Sequence, residues 1–106
     1  MSDAEVMAEA RVPTEAPQRV LTRLCRHFAH KTPVELADDR GRIEFRSGGY
    51  AELQVAASTL DISLHAADAG ALATLIDVVE RHLKMVEFRD AMPVIGWMRV
   101  PAASAS

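Results

Sequence analysis

The chain has 106 residues, which is enough for one domain with a single hydrophobic core. Hydrophobic residues make up 49% and charged residues 25%, as in an average soluble globular domain, which argues against a disordered or membrane-embedded chain. Because 12 Lys and Arg are outnumbered by 15 Asp and Glu, nucleic acid is not an expected partner.

A cytoplasmic location is expected from the distribution of apolar residues and of cysteine. No apolar run approaches the ~20 residues that span a bilayer, and "MSDAEVMAEA" lacks the basic start and apolar centre of a signal peptide. Cys25 is the one cysteine, so no intrachain disulfide can form. We therefore expect no membrane association.

The first two predicted elements are a strand and a helix. In "EVMAEARV", residues 5–12, small or apolar side chains alternate with longer ones, which indicates a half-buried strand ended by Pro13. Thr14 offers a side-chain cap and Pro17 a first-turn proline, a pattern typical of a helix start. The helix is predicted to run to about His30, with an apolar stripe formed by Val20, Leu21, Leu24, Cys25 and Phe28.

Four short strands are predicted next, over residues 34–38, 42–47, 50–55 and 60–65. The turn "DDRG" is predicted to join the first two, with Gly41 able to take a positive φ there. Period-two alternation places one apolar set on a single face: Ile43, Phe45, Leu53, Val55, Leu60, Ile62 and Leu64. The other face is predicted to be polar, with Arg42, Glu44, Arg46, Glu52, Gln54, Asp61, Ser63 and His65.

A second helix over residues 69–84 is predicted from an N-cap at Asp68 and an apolar stripe at helical spacing. "VEFR" and "VIGWMRV" are short strand candidates, and residues 101–106 are expected to form a disordered tail after a single domain over 1–100. The fold class is α+β in the order β-α-β-β-β-β-α-β, with two helices packed on one face of a curved antiparallel sheet.

Candidate chemistry concentrates in "RLCRHFAHK", residues 23–31. Cys25 lies on the apolar stripe, about 200° from His27 on a helical wheel, so the two cannot reach one metal and Cys25 is expected to be buried and inert. His27 and His30 are three residues apart and can share a ligand. The third metal ligand would be His82 at the edge of the second helix, with Glu80 and His65 as further candidates.

If the two helices pack side by side, His27 and His82 should approach within roughly 10 Å. His30 and Lys31 would then lie at the rim, and Lys31 or Arg89 would add positive charge. The competing interpretation is structural, because histidines between helices commonly hydrogen-bond a carbonyl and take no part in chemistry. Trp97 is similarly open to two interpretations: with Met92 and Met98 it forms an exposed apolar patch or closes the core.

The sequence also resembles a known family over about residues 9–89. The shared features are an "ARV" strand, a helix running into "HFAHK" and "PVE", a "GRIEF" strand, "AADAGALATL" and "RHLKMVEFR". They resemble the bacterial domain-of-unknown-function family 2218. The family's motif residues fall on His27, Phe28, His30, Lys31, Arg81, His82 and Arg89, without assigned roles. Similar domains sometimes accompany flavin-binding siderophore-interacting reductases, and the resemblance thereby implies a link to iron handling.

Three functional hypotheses follow. The first is an accessory or binding module with no catalytic residue and no resident cofactor, which uses His27, His30, Lys31, His82 and Arg89 to take an anionic ligand, a metal chelate or a partner protein. The second is a small metal-dependent enzyme or metalloprotein in which His27, His30 and His82 bind a transition metal. The third is a structural subunit that oligomerises. The sequence leaves the oligomeric state open.

Overall fold

A computed structural model describes residues 6–101, in which strands and helices follow one another in the predicted order. The strands are β1 Val6–Pro13, β2 Val34–Leu36, β3 Arg40–Glu44, β4 Tyr50–Val55, β5 Thr59–Ala66 and β6 Met98–Pro101. The helices are α1 Pro17–Ala29 and α2 Ala69–Val86. The α+β class and the order of elements are therefore confirmed.

The strands form one antiparallel sheet in the order β2-β3-β4-β5-β1-β6. Strands β2 to β5 are neighbours in sequence and in space. Strand β1 lies between β5 and β6, with Ala10 opposite Ile62 and Ala8 opposite both Leu64 and Arg99. The first strand of the chain is thus an internal strand, and the last strand forms an edge of the sheet.

Both helices pack on the same face of this sheet. Leu53 and Ile62 are buried there as predicted, and Phe45 is half-buried with its ring edge-on to Phe28 at 5.5 Å between centroids. The helices bury their apolar stripes against the same cluster, to which α1 contributes Leu24 and α2 contributes Leu75, among others. The opposite face of the sheet carries most of the predicted polar side chains, but Arg46 lies beyond the end of β3 and donates to the Lys31 carbonyl after α1.

The helix starts differ from each other. Asp68 caps α2 as predicted, because its side chain accepts a hydrogen bond from the Ala71 N–H at 2.8 Å. The N-cap of α1 is instead Ala16, which has no side-chain cap, and Pro17 occupies the first turn. The Thr14 hydroxyl accepts from the Ala16 N–H at 3.0 Å, so it orders the turn before the helix and does not cap the helix itself.

The end of α2 and the segment after it correct the sequence prediction. The helix continues to Val86, so "VEFR" is not a strand, because Val86 still contacts the core and prolongs the apolar stripe. Residues 87–97 then lead to β6, and Trp97 packs against the core while its Nε1–H donates to Glu80 Oε2 at 2.7 Å. This contact supports the interpretation that Trp97 closes the core, whereas Met98 is exposed.

The prediction that Gly41 belongs to the turn between β2 and β3 is wrong. Gly41 lies inside β3 opposite Leu36 and Leu53 and is buried, and the positive φ values belong to Gly48 (99°) and Gly49 (89°) in the next turn. A glycine suits position 41 because an added Cβ would lie 2.7 Å from Cys25 Sγ.

Two other predictions concern the carboxyl end and the membrane. Pro101, assigned from sequence to the tail, is the last residue of β6, and residues 102–106 lie outside the described part of the chain. Within residues 6–101, neither α1 nor α2 is long and apolar enough to cross a bilayer.

Candidate functional site

A shallow depression of about 820 Å³ lies between the second half of α1 and the residues at the end of α2. Helix α1 contributes Arg23, Arg26, His27 and His30. The other wall is formed by residues 85–87, 89 and 90, which include Arg89. We call this surface the basic depression.

The four basic side chains of α1 share one face because they are spaced i, i+3, i+4 and i+7. The sequence prediction included His27 and His30 but missed Arg23 and Arg26, although the same spacing would have found them. Two of the four, Arg26 and His27, lie in the last turn of α1, where positive charge is favourable beside the carbonyl end of a helix.

One carboxylate in the basic depression, that of Glu87, is already neutralised by arginines. Its side chain forms ion pairs with Arg19 and with Arg23, the latter at 3.3 Å. The hydrogen bond from Arg19 and the charges of both arginines lower the pKa of Glu87 below its ordinary value, against the opposing effect of burial. Glu87 therefore stays ionised and paired, and it contributes little negative potential to the basic depression.

Two arginines of the basic depression keep their charge available. Among residues 6–101, neither Arg26 nor Arg89 has an ion-pair partner. The Arg89 Nε–H donates to the Met85 carbonyl at 3.3 Å, which orients the side chain without neutralising it. Asp90 is the remaining carboxylate of the lining. The basic depression thus presents a surplus of positive charge to solvent.

His27 and His82 meet beside the basic depression, as predicted. Their ring centroids are 4.8 Å apart, and the Phe28 ring lies 4.5 Å from that of His82. The His82 Nδ1 atom is 2.6 Å from the Val78 carbonyl, and since a carbonyl can only accept, Nδ1 carries the proton of this hydrogen bond. His82 is therefore fixed against its own helix, whereas His27 lines the basic depression.

The surroundings of His27 disfavour its charged form. Burial lowers the pKa of His27 below its ordinary value, and the positive potential of His82, Lys31 and His30 lowers it further. His27 is therefore neutral at pH 7 in the protein alone, and it is poised to respond to any negative charge that enters the basic depression.

The three-histidine metal set is not assembled. Within residues 6–101, no three His, Cys, Asp or Glu side chains come close enough together to hold a metal ion. His30 lies exposed at the end of α1, and the further candidates are engaged elsewhere. Glu80 accepts from Trp97, and His65 stacks on Tyr50 on the opposite face of the sheet.

The remaining predicted residues divide between the site and the surface. Arg89 lines the basic depression. Lys31 is exposed and does not line it, and its carbonyl accepts a hydrogen bond from Arg46 Nε at 3.2 Å. Cys25 is buried at 1% exposure, as predicted, and burial raises the pKa of its thiol to about 11. A thiol in that environment is unreactive at neutral pH.

A second polar array lies on the helix-free face of the sheet. The Arg42 guanidinium sits 3.9 Å above the centre of the Tyr50 ring, and His65 stacks on the same ring at 4.3 Å. Within residues 6–101, neither imidazole nitrogen of His65 has a hydrogen-bond partner, and Glu52 lies 3.8 Å from Nε2. The neighbouring depression of about 510 Å³ mixes acidic and basic side chains, so its charge favours no ligand class.

Comparison with known proteins identifies the family. A bacterial family described as "Uncharacterized protein conserved in bacteria (DUF2218)" matches residues 9–98. The chain belongs to this family. The resemblance predicted from the sequence is thereby confirmed.

The fold is shared with solved structures. The NMR structure of PA4090 from Pseudomonas aeruginosa is similar with a TM-score of 0.67 and 30% sequence identity, over 90% of this chain and 95% of that one. No curated protein matches the chain. The comparisons thus identify the family and the fold without naming an activity.

Proposed function

We propose that this protein is a small binding module without catalysis of its own, and that the basic depression takes an anionic small molecule. The observation that carries the proposal is the convergence of Arg26, Arg89, His27 and His30 on one solvent-open surface. Of the two carboxylates in the lining, Glu87 is already paired with Arg19 and Arg23, which leaves Asp90 against the two arginines Arg26 and Arg89.

Arginine is suited to this role because its planar guanidinium forms two parallel hydrogen bonds with a carboxylate or a phosphate. Carboxylates, phosphates and the anionic complexes of metals with chelators belong to one ligand class in this respect. The proposed location is the bacterial cytoplasm, which suits a chain whose one cysteine is a buried thiol.

The proposal is tested by NMR titration of the protein with citrate, pyrophosphate and gallium citrate, the last as a diamagnetic substitute for a ferric chelate. We expect amide shift changes to concentrate in residues 23–30 and 85–90. Arg26→Gln should weaken binding about tenfold, since a charge-assisted hydrogen bond contributes roughly 1.5–3 kcal/mol.

Arg81→Gln is the matched control. It removes the same charge from the exposed surface of α2, where Arg81 pairs with Asp77 at 3.0 Å, and Arg81 does not line the basic depression. This variant should bind as the wild type does. Equal affinities for all three proteins, or shift changes confined to another surface, would contradict the proposal.

A further inference from the structure

His27 faces two environments. One side of its half-buried side chain lines the basic depression, and its ring lies 4.8 Å from that of His82. The titratable groups around it on α1 and in the two residues after that helix are Arg23, Arg26, His30 and Lys31. From α2 it faces His82, and the segment after α2 adds Glu87, Arg89 and Asp90 around the same depression.

The balance of these charges changes when an anion enters. In the protein alone, cationic neighbours and burial favour the neutral imidazole of His27. A bound anion would place negative charge beside His27 and favour the imidazolium, which also gains a charge-assisted hydrogen bond to the ligand. Binding of the anion and protonation of His27 therefore promote each other.

We propose that His27 couples anion binding in the basic depression to the uptake of one proton, an inference that rests on the proposed function. The basic depression then holds a polyanion more tightly in mildly acidic than in neutral solution. The bound ligand adds negative charge beside His27. The basic depression would thereby release its ligand as pH rises.

His82 explains why the coupling involves one proton. Its Nδ1–H donates to the Val78 carbonyl, which leaves Nε2 of the neutral ring without a proton. The two rings are 4.8 Å apart, and two imidazoliums at this distance repel each other, so the pair favours the uptake of one proton over two. His30 also lines the basic depression, but it is exposed, and no ring contact joins it to another aromatic ring among residues 6–101.

The test uses 1,3-benzenedisulfonate, whose sulfonates remain ionised throughout the range, at constant ionic strength because salt screens such contacts. We expect its Kd, followed by NMR, to fall about fivefold from pH 7.5 to pH 5.5, which corresponds to a one-unit rise in the His27 pKa on binding. The ring protons of His27 should report that rise directly when titrated with and without saturating probe.

His27→Gln should bind the probe with a Kd that depends much less on pH, and His30→Gln should keep most of the dependence. Arg26→Gln should weaken binding at every pH and also keep the dependence. A pH-independent Kd for the wild-type protein, or an unchanged dependence in His27→Gln, overturns the coupling while leaving the proposed function intact. Absence of binding at every pH overturns both.

Discussion

The contact between Gly41 and Cys25 shows how one missing side chain shapes the core. Gly41 lies in β3 beneath α1, and a Cβ there would come within 2.7 Å of Cys25 Sγ and 3.1 Å of Leu21 Cδ1. Such distances require the side chains of Cys25 and Leu21, or the helix and strand that carry them, to shift. The missing side chain at position 41 therefore leaves room for the close packing of α1 on β3.

We therefore expect Gly41→Ala to destabilise the protein by about 1–3 kcal/mol through overpacking. Cys25→Ala removes the sulfur that the new methyl group would meet, so the double variant should lose less stability than the sum of the two single variants. Urea unfolding of all four proteins measures this coupling. Additive losses would show that the steric conflict lies elsewhere.

The basic residues of α1 show what residue-level reasoning could and could not find. The approach of His27 to His82 was predictable because each ring lies at the edge of an apolar stripe, and packed stripes bring their edges together. Arg89 was predicted as a source of positive charge, but the contributions of Glu87 and Asp90 were not, because they depend on where the chain turns after α2. The spacing that joins Arg23 and Arg26 to the histidines was present in the sequence and was overlooked.

At the scale of elements, the two helices begin with different devices. Helix α2 has the Asp68 cap, whereas α1 relies on Pro17 and on the turn ordered by Thr14. Sequence signals predicted the cap of α2 correctly, because Asp68 directly precedes the periodic segment. They misplaced the cap of α1, because the chain bends once more between Thr14 and the first helical residue.

We expect Asp68→Ala to reduce the free energy of unfolding by about 1 kcal/mol, since it leaves the Ala71 N–H without its side-chain acceptor. The matched control is Asp77→Ala on the same helix, which breaks the exposed pair with Arg81 and should cost no more than about 0.5 kcal/mol. Urea unfolding distinguishes the two. Equal losses would mean that the cap contributes no more than a surface ion pair.

At the scale of the whole molecule, two groups make the stability depend on pH. The pKa of His27 is lower in the folded protein than in the unfolded chain, so its contribution is full above the ordinary histidine value near 6.5 and is lost as pH falls through the folded pKa. The pKa of Glu87 is also lowered, so its contribution is present above about 4.5 and disappears in stronger acid.

Unfolding measured from pH 8 to pH 3 should therefore show stability falling in two steps as the solution becomes acidic. His27→Gln should remove the step below pH 6.5, and Glu87→Gln should reduce the step below pH 4.5. The His27→Gln variant thus tests the electrostatics around this ring in the protein without ligand. If stability still falls below pH 6.5 in His27→Gln, another group is responsible for that step.

The position of β1 in the middle of the sheet has a consequence for synthesis on the ribosome. Strand β1 ends at Pro13, but its first partner, β5, ends at Ala66. At a translation rate of about 5–20 residues per second, roughly 3–10 seconds pass between the synthesis of β1 and that of β5. Its second partner, β6, is made later still. The nascent chain therefore carries both unpaired edges of its first strand until most of the domain has been translated.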